Sequence, residues 1–132
     1  MSQRTLRKSV VLVVQSKPHQ LRKWISEELA VPAIAKSLEE ARHILQHTIP
    51  DTVFVDDRLT DGTGVQLLQD MQKSKHHKDT PVVLVAESED LRVLERAIMS
   101  GIYACVKLPL DENECKRMLR KALTGRTGRV EY

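Results

Sequence analysis

The chain has 132 residues, 41% of them hydrophobic and 30% charged, with a formal net charge of +3. This length allows one compact domain with a substantial core and is too short for two domains of ordinary size. The modest charge and the aromatic content of only 3% argue against a nucleic-acid-binding module, which needs clustered cations and, for single strands, stacking aromatic residues.

Apolar runs rich in β-branched residues predict a series of short strands. Most of these runs are almost uninterrupted, which is typical of strands buried on both faces of a sheet. Residues 33–37 form the weakest run, as expected of a strand nearer a sheet edge. In chain order, the predicted strands are residues 10–14, 33–37, 52–55, 82–86 and 104–108.

A helical pattern with apolar residues three and four positions apart lies after each strand. Pro18 suits a first helical position, Ser37 and Glu40 have the spacing of a capping box, and Gly101 is a typical helix stop. In chain order, the predicted helices are residues 18–30, 37–46, 65–73, 88–101 and 111–125.

Strict alternation of buried strands with helices predicts an α/β fold, a doubly wound five-stranded parallel sheet with five helices and flavodoxin-like architecture. We assign residues 9–124 to this domain, residues 1–8 to an N-terminal extension and residues 125–132 to a tail or linker. Ligands of such folds bind at the carboxyl ends of the strands. The residues at that edge are Gln15, Ser16, Asp56, Asp57, Ala86, Glu87, Leu108 and Pro109.

The cysteines and the apolar runs predict a cytoplasmic protein. Cys105 and Cys115 do not form a CxxC pair and suit a reducing compartment, where both are expected to be small core residues. The longest apolar runs are far too short to span a membrane. The basic residues before the first run do not make a secretion signal, because that run is about half the usual length and no cleavage site follows.

The alternating strands and helices, with Asp56 at the end of the third strand and Gly64 eight positions later, closely resemble the receiver domain (CheY-like) of bacterial two-component response regulators. The stretches PDTVFVD (50–56), PVVLVA (81–86) and SGIYACVKLP (100–109) are similar to the family's third, fourth and fifth strand regions. The resemblance covers residues 9–124 and implies a phosphorelay signalling domain rather than an enzyme.

In that family, a histidine kinase donates a phosphoryl group to the aspartate that ends the third strand. This aspartate and two acids after the first strand hold Mg²⁺, and a lysine after the fifth strand pairs with the phosphoryl oxygens. A threonine or serine after the fourth strand and an aromatic residue on the fifth carry the signal to the surface. The resemblance implies a histidine kinase, an output domain or another receiver as the protein partner.

This chain keeps only the phosphoacceptor position, Asp56, whereas Asp57 takes the next position, which usually faces away. The other pocket positions are degenerate, with neutral or small residues at Gln15, Ser16, Ala86, Cys105 and Leu108. Mg²⁺ prefers several charged oxygen ligands, so Asp56 alone should bind it weakly. Loss of the lysine removes a charge-assisted contact of about 1.5–3 kcal/mol, and together these losses should slow phosphorylation by several powers of ten.

A partly buried Asp56 needs compensation for its charge, and Lys17 and Arg58 are the cations nearest to it in the predicted loops. We expect one of them to form an ion pair with Asp56; the alternative is that these side chains are solvated. Lys107 lies one position before the family's lysine, and strand alternation should turn it to the other face. Pro109 is expected to follow a cis peptide bond, as the family's proline does.

These features favour a phosphorylation-independent interaction or dimerisation module. The predicted surface is the face made by the fourth helix, fifth strand and fifth helix, where a basic run is either solvated or used by a partner (Lys116, Arg117, Arg120 and Lys121). One alternative is a conventional receiver phosphorylated on Asp56 by a histidine kinase that supplies the missing groups, and a second is a nucleic-acid-binding module. His76 and His77 are expected to be solvated loop residues.

Overall fold

The computed structural model describes residues 8–87 and 90–128, with side chains described as far as residue 124. Strands and helices alternate as predicted. In chain order, the elements are β1 (Val10–Val14), α1 (His19–Glu27), β2 (Val31–Ala35), α2 (Leu38–Leu45), β3 (Thr52–Asp56), β4 (Arg58–Leu59), β5 (Gly62–Thr63), α3 (Gly64–Gln72), β6 (Val82–Ala86), α4 (Leu91–Met99), β7 (Ala104–Lys107) and α5 (Glu112–Gly128).

Five parallel strands form one sheet in the order β2-β1-β3-β6-β7. The predicted α/β fold, a doubly wound parallel sheet with five helices, is therefore confirmed. Val55 pairs with Val14 on one side and with Leu84 on the other. This register brings the carboxyl ends of β1, β3 and β6 to the same edge of the sheet, where the order of the strands reverses.

Each face of the sheet has its own hydrophobic core. Val53 and Val55 of β3 pack in the cluster beneath α2, α3 and α4, whereas Phe54 packs in the cluster beneath α1 and α5. Successive strand residues point to opposite faces, so a strand covered on both sides needs apolar residues without interruption. That requirement explains the continuous apolar runs in the sequence.

The structure adds a short hairpin that the sequence analysis did not predict. Strands β4 and β5 pair antiparallel directly after the end of β3, and each has only two residues, too few for a periodic pattern. The hairpin leads into α3, where Thr63 and Gln66 form a reciprocal capping box. Asp61, in the loop between β4 and β5, accepts hydrogen bonds from the backbone N–H groups of Leu38 (2.7 Å) and Glu39 (2.9 Å) at the start of α2.

The ends of the domain differ partly from the predicted boundaries. Helix α5 continues to Gly128, so the first four residues of the predicted tail are helical. The predicted N-terminal extension, apart from Lys8, and residues 129–132 lie outside the described residues. Over the part of the chain that the structure describes, no helix has the length and apolar character needed to span a membrane.

Helix α4 packs less tightly than its neighbours. Ala97 is its one fully buried residue, whereas Leu91, Ile98 and Met99 are 73%, 59% and 87% exposed. An exposed cluster of large apolar side chains on a small domain often marks a contact surface. The α4–β7–α5 face is therefore partly apolar, although the sequence analysis identified only its basic residues on α5.

Candidate functional site

Asp56 and Gln15 meet at the carboxyl edge of the sheet. Asp56 ends β3, and Gln15 directly follows β1, where its backbone N–H donates to the Ala35 carbonyl at 3.0 Å. The Gln15 side chain is almost fully buried and its Nε2 donates to Asp56 Oδ1 at 2.8 Å. The Ser16 backbone N–H donates to the same carboxylate. Neutral donors thus surround the retained aspartate.

Burial raises the pKa of Asp56 above the ordinary aspartate value of 3.8. The hydrogen bonds from Gln15 and Ser16 act in the opposite direction, since they stabilise the ionised carboxylate. The negative charges of Asp57 and Glu87 raise the pKa further. The raising effects exceed the lowering ones, so the ionised carboxylate of Asp56 is less stable here than in water.

The structure does not give Asp56 the cationic partner that the sequence analysis expected. Within residues 8–87 and 90–128, neither Lys17 nor Arg58 forms an ion pair with Asp56. Both cations are exposed, and an exposed cation gains little by giving up water for a surface ion pair. The amide of Gln15 takes that place instead.

Gln15 itself is only half satisfied. Its Oε1 is buried and has no hydrogen-bond partner among the described residues. An unsatisfied buried acceptor costs roughly 1–3 kcal/mol. The same Gln15 amide therefore has one stabilising contact, from Nε2 to Asp56, and one destabilising atom, the unpaired Oε1.

A cavity of about 50 Å³ lies beneath α4, beside the site. Ala86 and Cys105 line it together with Leu84, Leu94 and Lys107. Ala86 and Lys107 are paired across β6 and β7, and Lys107 shares a face with Cys105, as strand alternation predicts. Burial raises the pKa of the Cys105 thiol, with a further contribution from the charge of Asp57.

Two backbone features shape the loops around the site. The peptide bond between Leu108 and Pro109 is cis, and the Leu108 side chain is 44% exposed. A Cβ added at Gly64 would lie 2.5 Å from the carbonyl oxygen of Asp56. This close approach explains why a glycine stands eight positions after the aspartate.

Several residues behave differently from the sequence-based expectation. Asp57, at a position that usually faces away in the family, is buried, which only the packing of its loop reveals. His77 is also buried and not solvated, because its Nε2 donates to the Leu45 carbonyl at 2.9 Å. Burial raises the pKa of the Cys115 thiol to about 11, as expected of a small core residue.

Two of the four residues in the basic run on α5, Lys116 and Arg120, are engaged within the domain. Lys116 contacts Glu27 at 2.7 Å and Glu112 at 2.9 Å, and Arg120 makes a two-pronged contact with Glu28 at 2.7 and 2.8 Å. These pairs join α5 to α1. In the described ranges there is no group of three or more histidine, cysteine and acidic residues arranged to hold a metal.

Known proteins resemble this chain in sequence. The profile of the response regulator receiver domain matches residues 11–120. The chain is 29% identical over 97 residues to response regulator protein PilR of Pseudomonas aeruginosa, covering 74% of this chain and 21% of that protein. It is 25% identical over 117 residues to regulatory protein AtoC of Escherichia coli, covering 86% and 25%. The chain thus spans a quarter or less of the length of these relatives.

Solved structures agree on the fold. The signal receiver domain of an HD domain-containing protein from Pseudomonas fluorescens Pf-5 is 24% identical, with a TM-score of 0.87, and the match covers 98% of this chain and 97% of that one. At this identity the likeness shows the fold alone. Since the family profile covers most of the sequence, this chain belongs to the response regulator receiver domain family of two-component signalling systems.

Proposed function

We propose that this receiver domain signals through protein–protein contacts without depending on phosphorylation of Asp56. The observation that carries the proposal is the 2.8 Å hydrogen bond from Gln15 Nε2 to Asp56 Oδ1. Through it, a buried neutral group satisfies one oxygen of the phosphoacceptor candidate. The proposed partners are a histidine kinase, an output domain or another receiver.

The donor set around Asp56 does not fit Mg²⁺. This ion dehydrates reluctantly and prefers charged oxygen ligands in octahedral geometry. Here, the amide N–H of Gln15 presents a positive partial charge to the carboxylate oxygen, and the Ser16 position presents a backbone N–H. We therefore assign no metal or other cofactor to this pocket, because Asp56 alone would bind Mg²⁺ only weakly.

The residues that would report phosphorylation are also missing. Ala86 has no hydroxyl to approach a phosphoryl oxygen, and Cys105 has no ring to move between inner and outer positions. Leu108 replaces a cation with an exposed apolar side chain. Modification of Asp56 would therefore lack both its charge partner and its route to the domain surface.

The α4–β7–α5 face is the proposed contact surface. Its exposed apolar residues are Leu91, Ile98, Met99, Tyr103 and Leu108, each more than 40% exposed. Lys116 and Arg120 of α5 are paired with α1, so the apolar residues, together with the exposed Arg117 and Lys121, are the proposed contact groups. A homodimer through this face is one form that such a contact takes.

Two measurements test this proposal. Incubation with Mg²⁺ and acetyl phosphate, or with a histidine kinase, should leave the mass of the domain unchanged, and sedimentation should detect self-association or partner binding that Met99→Glu weakens. Ile49→Glu, at an exposed apolar position between α2 and β3 and outside that face, is the matched control and should leave the association unchanged. A mass increase that Asp56→Ala abolishes would favour the conventional phosphoacceptor instead.

A further inference from the structure

The α4–β7–α5 face carries different side chains at its two ends. Because β6 and β7 are parallel, α4 must run back along the sheet between them, and α5 runs back in the same way after β7. Each helix therefore begins near the carboxyl edge of the sheet and ends near the amino edge. The carboxyl end of the face has Leu91, Lys107 and Glu114, and the amino end has Ile98, Tyr103 and Lys121.

Glu114 and Lys121 lie on the flank of α5 that points away from α1. On the opposite flank, Lys116 and Arg120 pair with glutamates of α1. Residues seven positions apart lie almost in line along a helix, so Glu114 and Lys121 share one side, two turns apart. Neither side chain forms an ion pair within residues 8–87 and 90–124. An acid and a base placed in this way match the same helix when it is reversed.

A second copy of the chain could meet this face in two orientations, each with a twofold axis. An axis along the strands sets each end of the face against the same end of the copy. Lys107 then faces Lys107, and α4 lies against α5 of the copy, with the apolar Leu91 opposite the charged Glu114. Like charges and the burial of charge against apolar groups both disfavour that orientation.

An axis perpendicular to the sheet sets each end of the face against the opposite end of the copy. Leu91 and Ile98, which are 73% and 59% exposed, then meet across two antiparallel α4 helices. Lys107 meets the exposed ring of Tyr103, a pairing of a cation with an aromatic face. Every such contact occurs twice, because the axis is twofold.

From these pairings we propose that the α4–β7–α5 face binds a second copy of this chain in the antiparallel orientation, α4 against α4 and α5 against α5. In this dimer, Glu114 of each chain meets Lys121 of the other. The inference rests on the proposed function, which makes this face the contact surface, and adds the partner and its orientation.

Glu95 distinguishes the two orientations. This exposed residue lies midway between Leu91 and Ile98 on α4, so in the antiparallel dimer it lies beside the axis and approaches Glu95 of the copy. In the other orientation it would lie near the basic residues of α5 instead. Glu95→Gln should therefore strengthen the antiparallel dimer about threefold, because repulsion at the axis is removed.

Sedimentation equilibrium of the whole chain measures the dimer dissociation constant. Glu114→Lys and Lys121→Glu should each weaken the dimer about fivefold, because like charges then meet at two contacts. The double variant Glu114→Lys/Lys121→Glu should recover the wild-type affinity, since the reversed charges match again. Lys23→Glu makes the same change of charge at an exposed position of α1 and should leave the dimer unchanged.

Circular dichroism confirms that each variant is folded. The inference is overturned if the folded wild-type chain stays monomeric at millimolar concentration, if the double variant dimerises no better than the single ones, or if Glu95→Gln weakens the dimer. Self-association that Met99→Glu weakens, without recovery in the double variant, would overturn the antiparallel orientation alone. The proposed contact surface would then stand, as it would if Met99→Glu weakened the binding of a different protein to a monomeric chain.

Discussion

Gln15 Nε2 lies 2.8 Å from Asp56 Oδ1, although the two residues are 41 positions apart in the chain. This contact exists because β1 and β3 are adjacent, parallel and in register through Val14 and Val55. It places a neutral donor against the carboxylate oxygen of Asp56. The relationship between these two side chains defines what the pocket is able to do.

Restoring the acid pair should restore metal binding. In Gln15→Glu/Ser16→Asp, two carboxylates join Asp56, and Mg²⁺ should raise the melting temperature, since a ligand at a hundredfold excess over its Kd stabilises by about 2.7 kcal/mol. The wild-type chain should respond no more to MgCl₂ than to NaCl of equal ionic strength. A metal-specific shift of the wild-type melting temperature would contradict the assigned lack of a metal site.

Asp56→Asn should stabilise the domain at neutral pH. Burial raises the folded-state pKa of Asp56, so folding favours its protonated form. The stability that this residue contributes is therefore fully present below the unfolded pKa of about 3.8 and is lost as the pH rises through the folded pKa. Asparagine stays neutral throughout. The melting temperature of the variant should therefore exceed that of the wild type at pH 7, with the difference shrinking towards acid pH.

Asp61→Asn provides a comparison of opposite sign. Hydrogen bonds from the backbone N–H groups of Leu38 and Glu39 lower the pKa of Asp61. Its contribution is present above the unfolded value and is lost as pH falls through the folded value. This variant should melt below the wild type at pH 7 and approach it in acid. Parallel pH profiles for the two variants would refute the opposite electrostatic roles.

Leu29→Gly should stabilise the fold by roughly 0.5–1 kcal/mol, the left-handed backbone penalty less the entropy of glycine. Leu29 has φ +62° at the end of α1 and is 78% exposed, so little apolar burial is lost. Leu29→Ala keeps the Cβ atom and should bring no such gain. Urea unfolding of the three proteins measures the difference, and an equal gain from alanine would point away from backbone strain.

Ala86→Val should add about 1 kcal/mol of stability by filling part of the cavity beneath α4. That cavity measures about 50 Å³. Ala35→Val, at a fully buried position of β2, serves as the control and should destabilise by about 1–3 kcal/mol through overpacking. If Ala86→Val destabilises the domain as much, the cavity does not accept the added methyl groups.

Residues that act through local pattern could be predicted from sequence. The uninterrupted run at β3, the Asp56 position and the helix cap at Ser37, whose Oγ accepts from the Glu40 N–H at 3.0 Å, all depend on neighbours within a few positions. Burial on both sheet faces and capping geometry have short sequence signatures. The fold class follows from repeating those signatures in alternation.

The partners of buried polar groups could not be predicted in this way. The expected cation at Asp56 is replaced by Gln15, Asp57 is buried, and His77 joins its loop to α2. Each outcome depends on side chains brought together by strand order and loop packing. A shift of about one ångström decides whether a hydrogen bond forms, and no periodic pattern encodes that distance.

The sequence by itself determined the alternating strands and helices, because side-chain polarity repeats with the period of each strand and helix. Tertiary structure alone decided that Gln15 bonds to Asp56 and that α5 is joined to α1 by Lys116 and Arg120. Those contacts arise between elements distant in the chain, where packing geometry and desolvation select the partner.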